Sequence, residues 1–289
     1  MSVVRKIVGS IGVIALLIAT PVLAAKIKKA PKPLPPPVPV FSWTGYYAGV
    51  NAGGVCTNAV ANRGVIGNPP LPGVPNGFVD FPDRITLLGQ YPNFLGPKCG
   101  FIGGAQFGYN YQSSNMVWGI EWDFQGTSLD QTDNRQFPAS PILGGFAANS
   151  ELAGQQLKWL STLRGRAGFL ATPMLLIYGT AGLAFGEVRD VLSTNGIPTP
   201  LAPGDVVTSI NDNVRWGVAA GGGAEWAFAG PWSAKAEYLY YHLADDTVRL
   251  DYRVLSPNGA GTFVDYRFRN EGHIFRLGLN YKFGQSTGP

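Results

Sequence analysis

The stretch that most constrains the fold of this chain runs from Val117 to Gln125 and reads V-W-G-I-E-W-D-F-Q. Side chains alternate between the two faces of a β-strand, so these residues separate into two sets. One set is large and apolar: Trp118, Ile120, Trp122 and Phe124. The other is glycine and polar: Gly119, Glu121, Asp123 and Gln125. Such a strand suits a position with lipid on its apolar side and a polar lumen on its other side.

The same alternation recurs along the chain and predicts eight strands, each near the roughly 9–11 residues that a tilted strand needs to cross a bilayer. They cover residues 43–53, 101–111, 117–125, 157–171, 175–186, 215–228, 232–241 and 273–283. Short connections (112–115, 172–174 and 229–231) alternate with long ones (54–100, 126–156, 187–214 and 242–272). Outer-membrane barrels have short periplasmic turns, long external loops and an even strand number. The sequence therefore predicts an all-β fold: an eight-stranded antiparallel up-and-down transmembrane β-barrel over residues 41–284.

An apolar segment near the N-terminus predicts export. Arg5 and Lys6 precede an apolar run from Ile7 to Thr20, and Val22-Leu23-Ala24 provides a cleavage site after Ala24. This run is shorter than the roughly 20 residues that a spanning helix needs. Residues 1–24 are therefore a predicted signal peptide, and the chain is expected to cross a membrane with strands.

Residues 25–40 form a predicted periplasmic arm that is rich in proline and lysine. This composition favours an extended, semi-rigid spacer. The alternative is an attachment arm whose lysines contact anionic lipid or cell-wall polymer. Of the 22 Lys and Arg residues, six precede Phe41, which leaves 16 against 18 Asp and Glu in the predicted barrel. Nucleic-acid binding needs a basic patch on the folded domain, so this function is excluded.

Four motifs resemble those of the small outer-membrane β-barrel family that includes major surface antigens of alphaproteobacteria, often labelled porin-family proteins. They read FSWTGYYAG (41–49), WLSTLRGRAG (159–168), AKAEYLY (234–240) and RLGLNYKF (276–283). The resemblance implies an eight-stranded barrel in the cell outer membrane. It also implies that Tyr281 and Phe283 belong to the C-terminal signal read by the outer-membrane assembly machinery. Family members often end on this Phe, whereas here Gly284 and a tail of residues 285–289 follow.

Charged residues on the inward faces of the predicted strands form a candidate lumen ionic network. Its members are Glu121, Asp123, Lys158, Arg164, Arg166, Arg215, Glu225, Lys235, Glu237, Arg276 and Lys282. Unpaired buried charge is costly, so each should have a partner. An eight-stranded interior is just wide enough for side chains to fill, which favours a structural network. The alternative is a gate or a path for small solutes.

The two histidines, His242 and His273, are predicted to lie near the outer rim. With Asp245, Asp246 or Ser256 they suggest a lipid-hydrolysing site. A hydrolase needs a nucleophile, a base and an orienting group in mutual reach, and no serine has a matching position. Two histidines alone are also a weak metal site. The chain is therefore predicted to be non-enzymatic, without cofactor or metal.

The two cysteines predict a disulfide. Cys56 follows the outer end of the first predicted strand, and Cys99 lies just before the second. These strands are antiparallel neighbours, so their outer ends should meet. Because the periplasm is oxidising, two cysteines in an exported chain are more simply a bridge than a metal or catalytic pair.

The predicted function is that of an integral outer-membrane β-barrel protein with a role in envelope integrity and surface contacts. Its predicted partners are outer-membrane lipid, lipopolysaccharide and the assembly machinery. The alternative function is a narrow or gated porin for small solutes.

Overall fold

The computed structural model describes residues 41–67, 94–137, 149–195, 206–251 and 263–284. The predicted signal peptide, the arm and the tail lie outside these ranges. The strands among the described residues are β1 (Gly45–Thr57), β2 (Ala61–Gly67), β3 (Lys98–Ser113), β4 (Met116–Phe137), β5 (Asn149–Thr172), β6 (Leu175–Asn195), β7 (Val206–Ala229), β8 (Trp232–Asp251) and β9 (Phe263–Lys282). None of the described segments is a helix long and apolar enough to cross a membrane.

Eight of these strands close into a ring. All pairings are antiparallel, and the order β1-β3-β4-β5-β6-β7-β8-β9 is closed by pairing of β9 with β1. The short β2 pairs with the outer end of β9, where Ala61 lies opposite Phe268. The predicted all-β up-and-down barrel is confirmed. β2 is an additional strand that lies within the first predicted long connection.

The short connections lie at one end of the ring, the predicted periplasmic end. Residues 114–115, 173–174 and 230–231 join β3 to β4, β5 to β6 and β7 to β8. Two of these turns place a residue at positive φ, 55° at Ser114 and 49° at Gly230. Glycine adopts this conformation without the steric cost of a Cβ, which suits Gly230 to its turn.

The strands run farther from the turns than the sequence predicts. β4 pairs with β5 as far as Phe137 and Asn149, and β6 pairs with β7 as far as Asn195 and Val206. We call this part the outer extension; it comprises residues 127–137, 149–158, 187–195, 206–214, 243–251 and 263–272. Its interior holds a cluster of apolar side chains, whose burial favours continuation of the strands. The buried residues there include Ala153, Leu192, Val248, Leu250, Tyr266 and Phe268.

The outer face of the barrel is a band of large apolar side chains. Leu277 and Trp216 are each 69% exposed, and Trp118 and Trp122 are each 52% exposed. Further members are Tyr46, Phe107, Ile120, Phe124, Leu163, Phe169, Trp226, Tyr238, Phe275 and Tyr281. A band of this kind, rich in aromatic residues, is the surface that a transmembrane barrel presents to lipid. The predicted inward and outward faces of the strands agree with this arrangement, with one exception.

The exception is Lys158, which does not face the lumen. The β5–β6 register shifts between Leu157 and Trp159, and Leu157 and Leu160 are both buried in the interior. This bulge turns Lys158 to the outside, because an inserted residue reverses the alternation of a strand. Its Nζ lies 2.7 Å from Oε1 of Glu187 and 2.6 Å from Oδ2 of Asp212. The assignment of Lys158 to the lumen network is therefore wrong.

Candidate functional site

Eight charged side chains from β4, β5, β7, β8 and β9 meet inside the barrel. We call this set the ionic layer; its members are Glu121, Asp123, Arg164, Arg166, Glu225, Lys235, Glu237 and Arg276. Each is at most 5% exposed. Four carboxylates face four cations, so the layer is electrically balanced. Burial of so much charge requires this balance, because an unpaired ion in a low-dielectric interior is strongly destabilising.

Arg164 lies at the centre of the ionic layer. Its Nη2 lies 2.7 Å from Oε1 of Glu121 and 2.9 Å from Oδ2 of Asp123. Its Nη1 lies 3.1 Å from Oε1 of Glu237, on β8. One guanidinium thus joins carboxylates from two different strands, and it has no exposed side-chain surface. The planar group presents five donors, which suits it to this role.

Arg276 and Lys235 complete the centre of the layer. The Arg276 Nη2 atom lies 2.7 Å from Oδ2 of Asp123 and 2.5 Å from Oε2 of Glu237. The Lys235 ammonium donates to both oxygens of Glu121, at 2.8 and 2.9 Å. Every carboxylate at the centre therefore accepts from two or more cations.

Two tyrosines extend the layer towards the periplasmic end. The Arg166 guanidinium lies 4.2 Å from the Tyr178 ring centre and 5.6 Å from that of Tyr47. Its Nη2 donates to Glu225 at 2.6 Å. The Tyr47 hydroxyl donates to Glu121, and the Tyr178 hydroxyl donates to Glu237. The predicted strand faces placed both tyrosines inward, but no residue pattern indicated their contacts.

Arg215 lies outside the ionic layer, in a second polar cluster at the base of the outer extension. Its Nη2 lies 2.5 Å from Oδ2 of Asp190 and 2.6 Å from Oδ2 of Asp246. The Gln155 amide also donates to Asp190. Burial raises the pKa of the Asp190 carboxyl above its ordinary value, and Arg215 opposes this effect. Sequence reasoning missed Asp190 as a lumen residue because it lies in a segment predicted to be a loop.

Apolar side chains fill the interior below the ionic layer. Trp43, which precedes β1, is 1% exposed and packs with Val117, Leu170 and Leu176. Its backbone N–H donates to Oε1 of Gln112, and its indole N–H donates to the carbonyl of Pro173. Trp43 therefore caps the periplasmic end of the described interior.

Apolar residues also fill the interior above the ionic layer. This level holds Val55, Ile102, Leu129, Leu157, Leu160, Val188, Leu239, Tyr241, Leu243 and Ile274. Next to it is a cavity of about 10 Å³, lined in part by Thr57, Gln155 and Asn270, with room for about one water molecule. Farther out, Phe94 is buried 5.8 Å from the Tyr266 ring, and Leu95 is buried beside it. Side chains thus occupy the described interior at each level.

The histidines do not form a hydrolytic arrangement within the described residues. His273 lies 2.8 Å from the Tyr238 hydroxyl, and His242 lies 3.7 Å from a carboxylate oxygen of Glu271. Asp245 pairs with Arg267, and Asp246 pairs with Arg215. Ser256 lies outside the described residues. Within the described ranges, no group of three His, Cys, Asp or Glu side chains is placed to hold a metal ion.

The predicted disulfide is present. Cys56 and Cys99 are direct partners in the β1–β3 ladder, and their sulfurs are bonded. The bridge lies at the outer end of both strands and closes a chain segment with a sequence separation of 43. The aromatic pair of the predicted assembly signal, Tyr281 and Phe283, lies on the outer face with ring centres 5.4 Å apart.

A family model described as "Outer membrane protein beta-barrel domain" matches residues 36–283. The chain belongs to this family. The match covers every strand of the ring, and the predicted family and outer-membrane location are confirmed. The apolar band therefore contacts outer-membrane lipid, and the end with the tight turns faces the periplasm.

Two relatives carry outer-membrane names. The chain is 32% identical over 277 residues to the 31 kDa outer-membrane immunogenic protein of Brucella melitensis, which covers 93% of this chain and 97% of that protein. It is 29% identical over 184 residues to a 22 kDa outer membrane protein of Rhizobium leguminosarum bv. viciae, covering 64% and 67%. Among solved structures, OprG from Pseudomonas aeruginosa covers 83% of this chain and 96% of its own, at 13% identity and a TM-score of 0.42.

Proposed function

We propose that this outer-membrane barrel is non-conducting and non-enzymatic, and that it supports the envelope and presents a rigid surface outside the cell. The observation that carries the proposal is the Arg164 side chain, which joins Glu121, Asp123 and Glu237 across the interior. Breaking a buried ion pair by removing one partner costs about 3–5 kcal/mol. A path for solutes through this level would have to separate several such pairs.

The filled levels on either side support the same proposal. Trp43 caps the interior below the ionic layer, and an apolar level lies above it. The alternative, a narrow or gated porin, requires rearrangement at all three levels. Vesicles that contain the refolded protein should therefore swell no faster than empty vesicles in small sugars, while vesicles with a large-pore porin swell rapidly. Swelling that scales with the amount of refolded protein would favour the porin.

The outer extension supports a role in surface contacts. β8 continues to Asp251 and β9 begins at Phe263, so the paired ends of these two strands, which we call the β8–β9 hairpin, project beyond the lipid-facing band. Its outward charges are paired, with Arg267 beside Asp245 and Arg249 beside Asp265. Such pairing gives a water-compatible surface that adds little stability. We infer that this hairpin is a contact surface towards lipopolysaccharide and other cells.

A deletion strain separates the two parts of this role. Loss of the protein should increase entry of large apolar antibiotics, and the full chain should restore the barrier. A chain with residues 247–268 replaced by a short turn should also restore the barrier but lose surface attachment. Failure of the full chain to change either phenotype would contradict the proposed envelope role.

Two partners follow from the chain ends. We infer that Tyr281 and Phe283 are read by the outer-membrane assembly machinery and that the lysines of the N-terminal arm contact cell-wall polymer. Alanine at both aromatic positions should lower the amount of assembled barrel. Replacing the four arm lysines by glutamine should leave assembly unchanged and lower the amount of protein that sediments with purified cell wall.

A further inference from the structure

Lys282, the last residue of β9, differs from the cations of the ionic layer. Its side chain points into the periplasmic end of the barrel and is 6% exposed. Among the described residues, its Nζ has no hydrogen-bond partner. Within the described part of the chain, Arg164, Arg166, Lys235 and Arg276 all contact carboxylates, whereas Lys282 makes no ion pair. A desolvated ammonium with no carboxylate in direct contact is unfavourable, so this group is suited to a ligand.

The charge balance inside the barrel leads to the same conclusion. The ionic layer is neutral by itself, with four carboxylates and four cations. Lys282 therefore adds one positive charge to the described interior at this end. Phe41 lies on one side of it, with the ring centre 5.1 Å from Nζ. The π-face of the ring attracts the ammonium electrostatically, but it is not a conventional hydrogen-bond acceptor. The three N–H donors of Lys282 therefore remain available to a ligand.

The backbone beside Lys282 leaves room for its side chain. Gly45 has a φ of 135°, and a Cβ at this position would lie 3.2 Å from Cε of Lys282. Any larger residue would therefore crowd the lysine. Glycine at this position leaves space for the Lys282 side chain at the periplasmic mouth of the barrel, next to Phe41 and the start of β1.

We propose that Lys282, Gly45 and Phe41 form an anion-binding site at the periplasmic mouth that takes a small free oxyanion, such as phosphate or a carboxylate. The ligand approaches from the periplasm, because side chains fill the barrel above the site. It is small, because Phe41 and Trp43 cover the mouth. It is not a lipid headgroup of the surrounding leaflet, because Lys282 faces inward and lipid contacts the outer face.

The test uses the full mature chain refolded in a nonionic detergent, with inorganic phosphate and acetate as probes at constant ionic strength. Wild-type protein should show a saturable rise in its thermal midpoint, because a ligand that binds only the folded state stabilises it. Lys282→Met should weaken phosphate binding by about tenfold or more, the size of a charge-assisted hydrogen bond. Lys98→Met, which removes an exposed lysine at the outer end, should behave as wild type.

Lys282→Arg keeps the charge and should retain the response, which keeps the test usable if Lys282→Met does not refold. Phosphorus NMR line broadening of free phosphate by wild type, Lys282→Arg and Lys98→Met, but not by Lys282→Met, gives a second readout. An equal midpoint rise in wild type and Lys282→Met would overturn the proposal. So would a wild-type protein whose midpoint does not respond to either oxyanion.

Discussion

Glu121 and Arg164 are direct partners in the β4–β5 ladder, and Oε1 of Glu121 lies 2.7 Å from Nη2 of Arg164 with both side chains almost fully buried. The backbone pairing of the two strands thus places these residues opposite each other, whatever rotamers their side chains adopt. The same guanidinium then reaches Asp123 and Glu237. The closed interior follows from this register, because a shift of one residue would move Glu121 to the lipid face.

Replacing Arg164 by methionine should strongly destabilise the barrel. The substitution keeps an unbranched side chain but leaves Glu121, Asp123 and Glu237 without their common partner. The expected loss in the free energy of unfolding is about 3–5 kcal/mol, measured by urea unfolding in phospholipid vesicles. Arg267→Met is the matched control, because Arg267 is 64% exposed and pairs with Asp245 at the surface. Equal losses in the two variants would contradict a central role for the buried pair.

Replacing Leu277 by arginine tests the lipid-facing band. Leu277 is 69% exposed on the outer face, and a charge near the bilayer midplane should cost about 2–4 kcal/mol of unfolding free energy. Leu277→Met should have little effect. If Leu277→Arg were harmless and a cysteine at position 278 reacted with a lipid-soluble label, the β9 register would be wrong by one residue.

Removal of the disulfide should loosen the first long connection and leave the barrel folded. The chain-entropy estimate for a loop of this length is roughly 4 kcal/mol. We expect most of it to act on residues 57–98, because the ring keeps its strand ladder without the bridge. Limited proteolysis of Cys56→Ser/Cys99→Ser should cut this segment faster than in wild type. The unheated variant should still migrate on a gel as a folded barrel, with a mobility different from that of the heated chain. Two reactive thiols in unreduced wild-type protein would show that the bridge does not form.

Asp190 should give the outer extension a stability that increases in acid. Burial raises its folded-state pKa above the unfolded value, so its contribution is fully present below the unfolded pKa and is lost as pH rises through the folded pKa. Between pH 7 and about pH 4, wild type should therefore gain unfolding free energy relative to Asp190→Asn. Asp130→Asn, at an exposed position on β4, should follow wild type. Parallel pH profiles for wild type and Asp190→Asn would argue against this assignment.

The β8–β9 hairpin should resist protease near the barrel. Thr247–Arg267 and Arg249–Asp265 are paired positions in the ladder, so the backbone there is held on both strands. Protease added to intact cells should spare the paired positions of both strands. Cleavage throughout residues 247–268 would mean that the hairpin is not ordered on the cell surface.

Much of the barrel could be predicted from the sequence because lipid and a filled lumen impose opposite demands on alternate residues. Trp118 and Glu121 lie on opposite faces of β4, and each has a side chain that its surroundings require. The pairing of Cys56 with Cys99 followed from the antiparallel order of two neighbouring strands. The first inference rests on a period of two, which a tilted strand keeps across the membrane, and the second rests on the order of the strands.

The parts that could not be predicted depend on local departures from that period or on contacts distant in sequence. The bulge at Lys158 exchanges the inward and outward positions along β5, and no residue pattern around it indicates the extra residue. β2 contains two glycines and a charged residue, so it lacks a clear alternation. Many outward residues of the outer extension are polar, although Ile210 and Val214 are exposed there, so segments such as the one holding Asp190 resemble loops. The cap by Trp43 depends on Pro173, 130 residues away.

Planar-bilayer recording of the refolded full chain tests the closed barrel most directly. We expect no current steps above the bare bilayer at any applied voltage, because the ionic layer, the Trp43 cap and the apolar level above fill the interior. Arg164→Ala serves as the comparison. Any current step caused by ions flowing through this barrel must change in amplitude when that side chain is removed. Discrete steps from wild-type protein that change in size in Arg164→Ala would contradict a closed barrel and establish a conducting pore.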